Sequence, residues 1–268
     1  KLNELLKGDQ AKRTVVAFIF IPGNVRGTKM EVLENRSQFE DLKESVTENI
    51  ETIQTRMLYG LIETKELGCS FLFEEEALEE VHRKALRMHR KGIPPISTHD
   101  LFDEDQDQII QALRQAGLDN RPENPVKVVF YPVYLSGADN LLNTTYYESM
   151  HGCHLGIFPS LYEPWGYTPL EASALGVPSI TTDLAGFGRY VIKQGLHNAL
   201  PGIYVLNRFN VKDEDVIKEM TQMMFQYATM SKQDRVQNKI QARAIAEKAD
   251  WKFFADYYIE AHNQAVGR

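Results

Sequence analysis

Five short apolar runs constrain this chain more than any other feature. Thr14–Ile21 reads TVVAFIFI, β-branched or aromatic at nearly every position, and Pro22-Gly23 ends it. A run that is apolar on both faces belongs inside a parallel sheet whose two sides are covered by helices. Val126–Tyr131, Leu155–Phe158, Ser179–Thr182 and Ile203–Leu206 have the same character. Helical patterns lie between them, over Asp105–Ala116, Tyr146–His151, Thr168–Leu175 and Asp213–Met230. Strands alternating with helices make right-handed βαβ units. The expected class is therefore α/β, with a doubly wound, Rossmann-like parallel sheet.

One stretch breaks the alternation. Ser37–Ile62 carries apolar residues at Phe39, Leu42, Val46, Ile50, Ile53, Met57 and Leu61. That spacing is helical, and a continuous helix over it would run about 39 Å. Glu74–His89 predicts a second helix, with Glu74–Glu76 complementing the dipole at its start. Together they read as a helical hairpin inserted over about residues 31–93. The hairpin can pack on its own domain or meet another subunit; a narrow seam flanked by charge favours the second. Ser231–Arg268 is helical and amphipathic. Trp251, Phe254, Tyr257, Tyr258 and Ala261 share one face there, and core packing is the expectation for them.

The 268 residues carry a formal net charge of −7. An acidic balance gives no footprint for nucleic acid or an anionic membrane, so any phosphate must be held by local donors. Two cysteines, Cys69 and Cys153, make no disulfide framework, and a reduced cytoplasmic setting is expected. No apolar run approaches the ~20 residues of a membrane span. The chain opens at Lys1, with Lys1–Arg13 reading as the tail of a helix that feeds into a strand. That opening is the reading of a fragment of a longer polypeptide.

The chemistry concentrates after the third run. The chain leaves Leu155–Phe158 through Pro159-Ser160, passes Glu163, and enters a helix near Thr168. Ligands of open α/β sheets bind beyond the carboxyl ends of strands. A helix N-terminus there offers free N–H groups and partial positive charge to a diphosphate. Gly166 lets a ligand approach the backbone, and Thr168 adds a hydroxyl. Glu163 in the loop and Glu171 one turn into the helix flank the same concavity, and carboxylates are strong acceptors for sugar and ribose hydroxyls. The structural alternative is a dipole-paired Glu171 and a solvated Glu163; pairs of glutamates at this spacing are common. Pro164, Trp165, Gly166, Tyr167 and Pro169 turn the balance toward a nucleotide-sugar site.

The residues carry a family resemblance. His151-Gly-Cys-His-Leu-Gly-Ile-Phe-Pro-Ser-Leu-Tyr-Glu-Pro-Trp-Gly-Tyr-Thr-Pro-Leu-Glu171, with Gly176-Val-Pro-Ser-Ile-Thr-Thr182 and Ala185-Gly-Phe-Gly188, closely resembles glycogen synthases of the animal and fungal type, glycosyltransferase family 3. Thr14–Phe18, Pro94–His99, Val126–Pro132, Gly202–Tyr204 and Asp250–Lys252 extend the likeness along the chain. The resemblance implies a GT-B enzyme that moves glucose, with retention and without a metal or other cofactor, from UDP-glucose to the 4-hydroxyl of an α-1,4-glucan. It implies that residues 1–250 are the donor-binding domain and 251–268 a trailing helix, with the N-terminal GT-B domain absent from this chain. It assigns Glu163 to the sugar as the catalytic carboxylate. Trp165, Gly166, Tyr167, Thr168, Glu171, Tyr134, Tyr146 and His154 become the donor-binding set. Its implied partners are UDP-glucose, glycogen and a glycogenin-like primer protein, to which the hairpin seam adds a homo-oligomer. The family's diphosphate-reaching Arg and Lys would lie before Lys1, so the isolated chain is expected to be inactive. On the residues alone, another retaining GT-B transferase and a non-catalytic oligomerising scaffold stay open.

The family's dense arginine cluster before Asp250-Trp251 is thinned here to Lys232, Arg235, Lys239 and Arg243. Arg235, Lys239 and Arg243 follow i, i+4, i+8 and share one face. They are a candidate allosteric phosphate site, set against a solvated basic stripe. Cys153 and His154 have no convincing partners for a metal. His99 and Asp100 are read as turn or helix-cap residues, and Gly186 and Gly188 as serving backbone conformation.

Overall fold

The apolar runs fold as strands close to where their composition places them. A computed structural model of the chain describes residues 1–63, 66–88, 92–195 and 200–267. They form a mixed helix-and-sheet structure with parallel strands, divided into two compact units. One is Val16–Tyr134; the other joins Lys1–Val15 to Leu135–Arg268. Among the described residues, no helix is long and apolar enough to cross a membrane.

The chain opens on α1 (Leu2–Lys7) and enters β1 (Val15–Phe20) and β2 (Val25–Thr28). Then come α2 (Met30–Glu48), α3 (Ile50–Ile62), α4 (Cys69–Leu72) and α5 (Glu75–Arg87). β3 (His99–Leu101), α6 (Gln108–Gln115) and β4 (Val126–Tyr131) complete the Val16–Tyr134 unit. β1 pairs with β4, and β2 runs antiparallel to β3. Ile96, Leu101, Ile110, Val128 and Phe130 are buried at its core, with Ala17, Ile19 and Leu113 packed around them. Asp107 caps α6 by accepting from the amides of Ile109 and Ile110 at 2.9 Å each.

Two expectations in this unit are corrected. The long helix starts earlier, at Met30, and is interrupted at Asn49 (φ −98°, ψ 6°). There the Asn49 amide turns to the Val46 carbonyl at 3.2 Å, while its side chain donates to the Ser45 carbonyl at 2.9 Å. An i−3 bond tightens the turn, and a backbone-seeking asparagine competes with the helical ladder. His99 and Asp100 lie in a strand, not a turn or cap. The His99 ring is buried, with Thr98 Oγ1 at 2.9 Å from Nδ1 and Thr28 Oγ1 at 3.3 Å from Nε2. Asp100 joins Glu104 in pairing Lys29, at 3.2 and 2.7 Å. Lys84 of α5 reaches Asp41 of α2 at 3.2 Å and Glu80 of its own helix at 3.0 Å. The final residue of the predicted Glu74–His89 helix lies outside the described residues.

The second unit continues through α7 (Tyr146–His151), β5 (Gly156–Ile157), α8 (Tyr167–Ala174), β6 (Ser179–Thr182) and α9 (Gly186–Lys193). β7 (Ile203–Leu206), α10 (Asp213–Thr229), α11 (Lys232–Glu247) and α12 (Trp251–Ala265) follow. β5, β6 and β7 form a parallel sheet in that order. Where the sequence predicts one doubly wound sheet, the hydrogen bonds among the described residues form three. Within this sheet the side chains alternate as a pleat demands. Tyr204 and Leu206 pack with Ile180, Val216 and Tyr227 on one face; Ile203 and Val205 pack with Phe187, Val191 and Ile245 on the other. Asn238 of α11 is fully buried, and its Oδ1 accepts from the Gly202 amide at 2.9 Å and the Tyr204 hydroxyl at 3.2 Å. Leu6 of α1 is buried in this unit.

α12 departs from its expected core packing. Phe254 stacks in the core, but Trp251, Tyr257 and Tyr258 are more than half exposed and line an open groove of about 700 Å³ with α8 and α11. Phe254 meets Trp165 and Tyr190 at centroid distances of 5.6 and 5.7 Å, whereas the Trp251 and Tyr258 rings meet each other at 5.4 Å. Arg268, the end of the predicted stretch, lies outside the described residues.

Candidate nucleotide-sugar site

Parallel pairing aligns the carboxyl ends of β5, β6 and β7, and the loops leaving them are tied together. Thr182 Oγ1 donates to the Ser160 carbonyl at 2.9 Å. Asp183 accepts from the Arg208 amide at 2.8 Å, and Arg208 Nη1 donates to the Pro159 carbonyl at 2.8 Å. This rim holds the segment from Pro159 to α8.

Glu163 is half-buried and lies beside Ala185 in a parallel bridge. Its carbonyl accepts from the Gly186 amide at 3.1 Å, and the Trp165 carbonyl accepts from the Phe187 amide at 2.6 Å. The N-terminus of α9, a helix not read from the sequence, thus anchors the loop. Close approach explains the glycine: a Cβ at Gly186 would lie 2.2 Å from the Pro164 carbonyl oxygen. The Trp165 ring packs with Phe187, Tyr190 and Phe254, at centroid distances of 5.8, 5.7 and 5.6 Å. Its backbone, not its ring, is thereby held at the loop.

Gly166 is the buried N-cap of α8, left-handed at φ 105°. Non-glycine residues avoid that region. Among the described residues no side chain caps α8, while Tyr167 and Thr168 in its first turn are exposed. Such a terminus presents N–H groups and partial positive charge to an anion.

Glu171 stands one turn into α8. Its Oε2 accepts from the Tyr146 hydroxyl at 2.9 Å, and its Oε1 from the Tyr147 hydroxyl at 3.2 Å. The two rings meet edge-on at 5.1 Å. Burial, then the bond to Glu171, pushes the Tyr146 phenol far up. The Glu171 charge raises the Tyr147 phenol as well. A capping box starts α7 just before them: Glu148 Oε2 accepts from the Thr145 amide at 2.8 Å, and Thr145 Oγ1 from the Glu148 amide at 3.4 Å.

The structure brings Glu163, Trp165, Gly166, Tyr167, Thr168, Glu171 and Tyr146 onto one loop–helix segment and the helix beside it. Tyr134 ends the other unit and is 80% exposed. His154 precedes β5, exposed, and its carbonyl accepts from the Tyr227 hydroxyl at 2.7 Å. On α11, Arg235 Nη1 donates to the Met230 carbonyl at 3.0 Å, Arg243 pairs with Glu247 at 3.5 Å, and Lys239 is half-buried. Among the described residues, no group of three or more His, Cys, Asp or Glu could hold a metal ion. Tyr147 and the start of α9 were missed by reading the sequence. A second aromatic beside Tyr146 was the only sign of the former, and Ala185-Gly-Phe-Gly188 of the latter.

A family model described as "Glycogen synthase" matches residues 1–268. The chain is similar over its whole length to the "Glycogen [starch] synthase" of Neurospora crassa, 34% identical over 273 residues. It is also similar to the "Glycogen [starch] synthase, liver" of Mus musculus, 31% identical over 268 residues, and to the "Glycogen [starch] synthase" of Caenorhabditis elegans, 32% over 278. The chain spans 38% of the length of the first two relatives and 40% of the third. A whole-chain family match and a site segment built around Glu163–Glu171 lead to one conclusion: this chain belongs to the glycogen synthase family.

Proposed function

We propose that this chain supplies the nucleotide-sugar side of a retaining glucosyltransferase of GT-B architecture, with the α2–α5 region as an inserted helical hairpin. The donor is UDP-glucose and the acceptor the non-reducing 4-hydroxyl of an α-1,4-glucan. One observation carries the reading: an uncapped helix N-terminus at the carboxyl edge of a parallel sheet, flanked by Glu163 in the loop and Glu171 in the helix. Glu163 orients the sugar hydroxyls. The amides around Trp165 and Gly166, Tyr167 and the Thr168 hydroxyl meet the diphosphate. Glu171 takes the ribose and Tyr146 the base; Tyr134 and His154 belong to the donor set through the family resemblance alone. As the glycosidic bond breaks, negative charge grows on the leaving diphosphate. Fixed donors that need no reorganisation stabilise it there. The reading needs no metal or cofactor and places the protein in the cytoplasm.

Binding calorimetry tests this reading. UDP and UDP-glucose should bind the chain, ADP- and GDP-sugars much more weakly, and a chelator should change nothing. Glu171→Gln should weaken UDP, whereas Glu163→Gln should weaken UDP-glucose more than UDP. Equal affinity for all three nucleotides would remove the donor assignment.

The exposed apolar residues of α2 and α3 support a contact with a second copy. Phe39, Ile50, Met57 and Leu61 are 41–59% exposed on the predicted seam. Phe39→Ser with Met57→Ser should shift sedimentation toward the monomer. An unchanged sedimentation coefficient would leave the seam without that role.

A further inference from the structure

We propose that Tyr147 is a positioning residue for the donor site, fixing the Glu171 carboxylate so that its remaining lone pairs face a ribose diol. The inference rests on the UDP-sugar reading above and adds to it a residue that the motif does not contain. Neighbouring residues on a helix point about 100° apart and do not ordinarily meet on one partner. Here they do: the Tyr146 and Tyr147 hydroxyls divide the two oxygens of one carboxylate, at 2.9 and 3.2 Å. The arrangement is built, because the capping box sets the first turn of α7 and the rings brace each other edge-on. A carboxylate has about four acceptor directions. Two phenols occupy one on each oxygen, leaving one on each oxygen for a vicinal pair of hydroxyls. With only Tyr146 in place, the carboxylate could turn about its last side-chain bond, and the second acceptor direction would be lost to that rotation. Tyr147 is about half exposed, so its effect is modest and lies in orientation rather than burial.

The experiment measures UDP and 2′,3′-dideoxy-UDP binding to the intact chain by calorimetry. Tyr147→Phe keeps the ring and removes only the hydroxyl. It should weaken UDP about three- to tenfold and leave the dideoxy nucleotide unchanged. In a Glu171→Gln background the same change should add nothing, since coupled residues are not additive. Equal losses for both nucleotides, full additivity, or no loss would overturn the inference while UDP binding by the parent chain stood. A parent chain that binds no UDP would overturn the donor reading itself. A second readout needs no ligand: ring-carbon NMR of Tyr147 through alkaline pH. Its phenol should titrate lower after Glu171→Gln, and an unmoved titration would show that no such contact exists.

Discussion

Gly186→Ala is the sharpest test of how the site is held. The added methyl would sit 2.2 Å from the Pro164 carbonyl oxygen and 3.1 Å from the Trp165 Cα, where ordinary contact begins near 3.4 Å. Loop or helix must therefore retreat by about 1 Å, and both obstructing groups are backbone, which cannot rotate aside. Overpacking of this kind costs about 1–3 kcal/mol. The shift also stretches the bonds from the Gly186 and Phe187 amides to the Glu163 and Trp165 carbonyls, each worth about 0.5–1.5 kcal/mol. Against this, alanine is better than glycine in a helix by about 1 kcal/mol. The net expectation is a loss of about 1–5 kcal/mol, read from urea unfolding. Gly195→Ala gives a control: its φ of 65° is unfavourable, but among the described residues nothing lies within 4 Å of the added methyl. Because the displaced loop bears Glu163 and Gly166, UDP-glucose affinity should fall with the first change and hold with the second. A Gly186→Ala chain as stable as its parent, with undiminished affinity, would refute the claim that α9 anchors the loop.

Other outcomes follow from the same contacts. Asn238→Ala strips the acceptor from the Gly202 amide and the Tyr204 hydroxyl in a fully buried place; unfolding free energy should drop by about 2–4 kcal/mol, and a loss below about 0.5 kcal/mol would contradict the burial argument. Thr145→Ala breaks the capping box of α7 and should cost about 1 kcal/mol, with a parallel loss of UDP affinity, because Tyr146 and Tyr147 open that helix. Burial pushes the Tyr204 phenol up to about 12 from 10.0, and burial raises Tyr227 as well. Their folded values exceed their unfolded ones, so their share of stability is whole below about pH 10 and is lost as pH rises through the folded value. Ring-carbon NMR should show both phenols still mainly protonated at pH 10 in the folded chain; ionisation of Tyr204 or Tyr227 there would refute it.

Strand identity needed little beyond local composition. Val126–Tyr131 and Ile203–Leu206 pair over the residues read from their apolar runs, because a strand covered on both faces favours apolar side chains. Ser179–Thr182 pairs as read too, although it is rich in hydroxyls, with Ser179 and Thr182 donating to the Val177 and Ser160 carbonyls. The Glu163–Glu171 segment was equally open to sequence reading. Its prolines, Gly166 and two carboxylates announce a strand, a tight loop and a helix start within a dozen residues. The sequence could not say how carboxylates and rings would be partnered. Tyr147 reaches Glu171 across 24 positions, and α9 meets the loop through main-chain amides whose partners the glycines of Ala185-Gly-Phe-Gly188 do not name. His99 looked like a turn residue because its strand is three residues long and owes its pairing to β2. Asn49 interrupts a helix that the apolar spacing alone would have carried through. Side-chain chemistry and periodicity thus determined the elements and the family likeness. Tertiary structure decided the partners, since contacts between residues far apart in the chain depend on where the backbone turns.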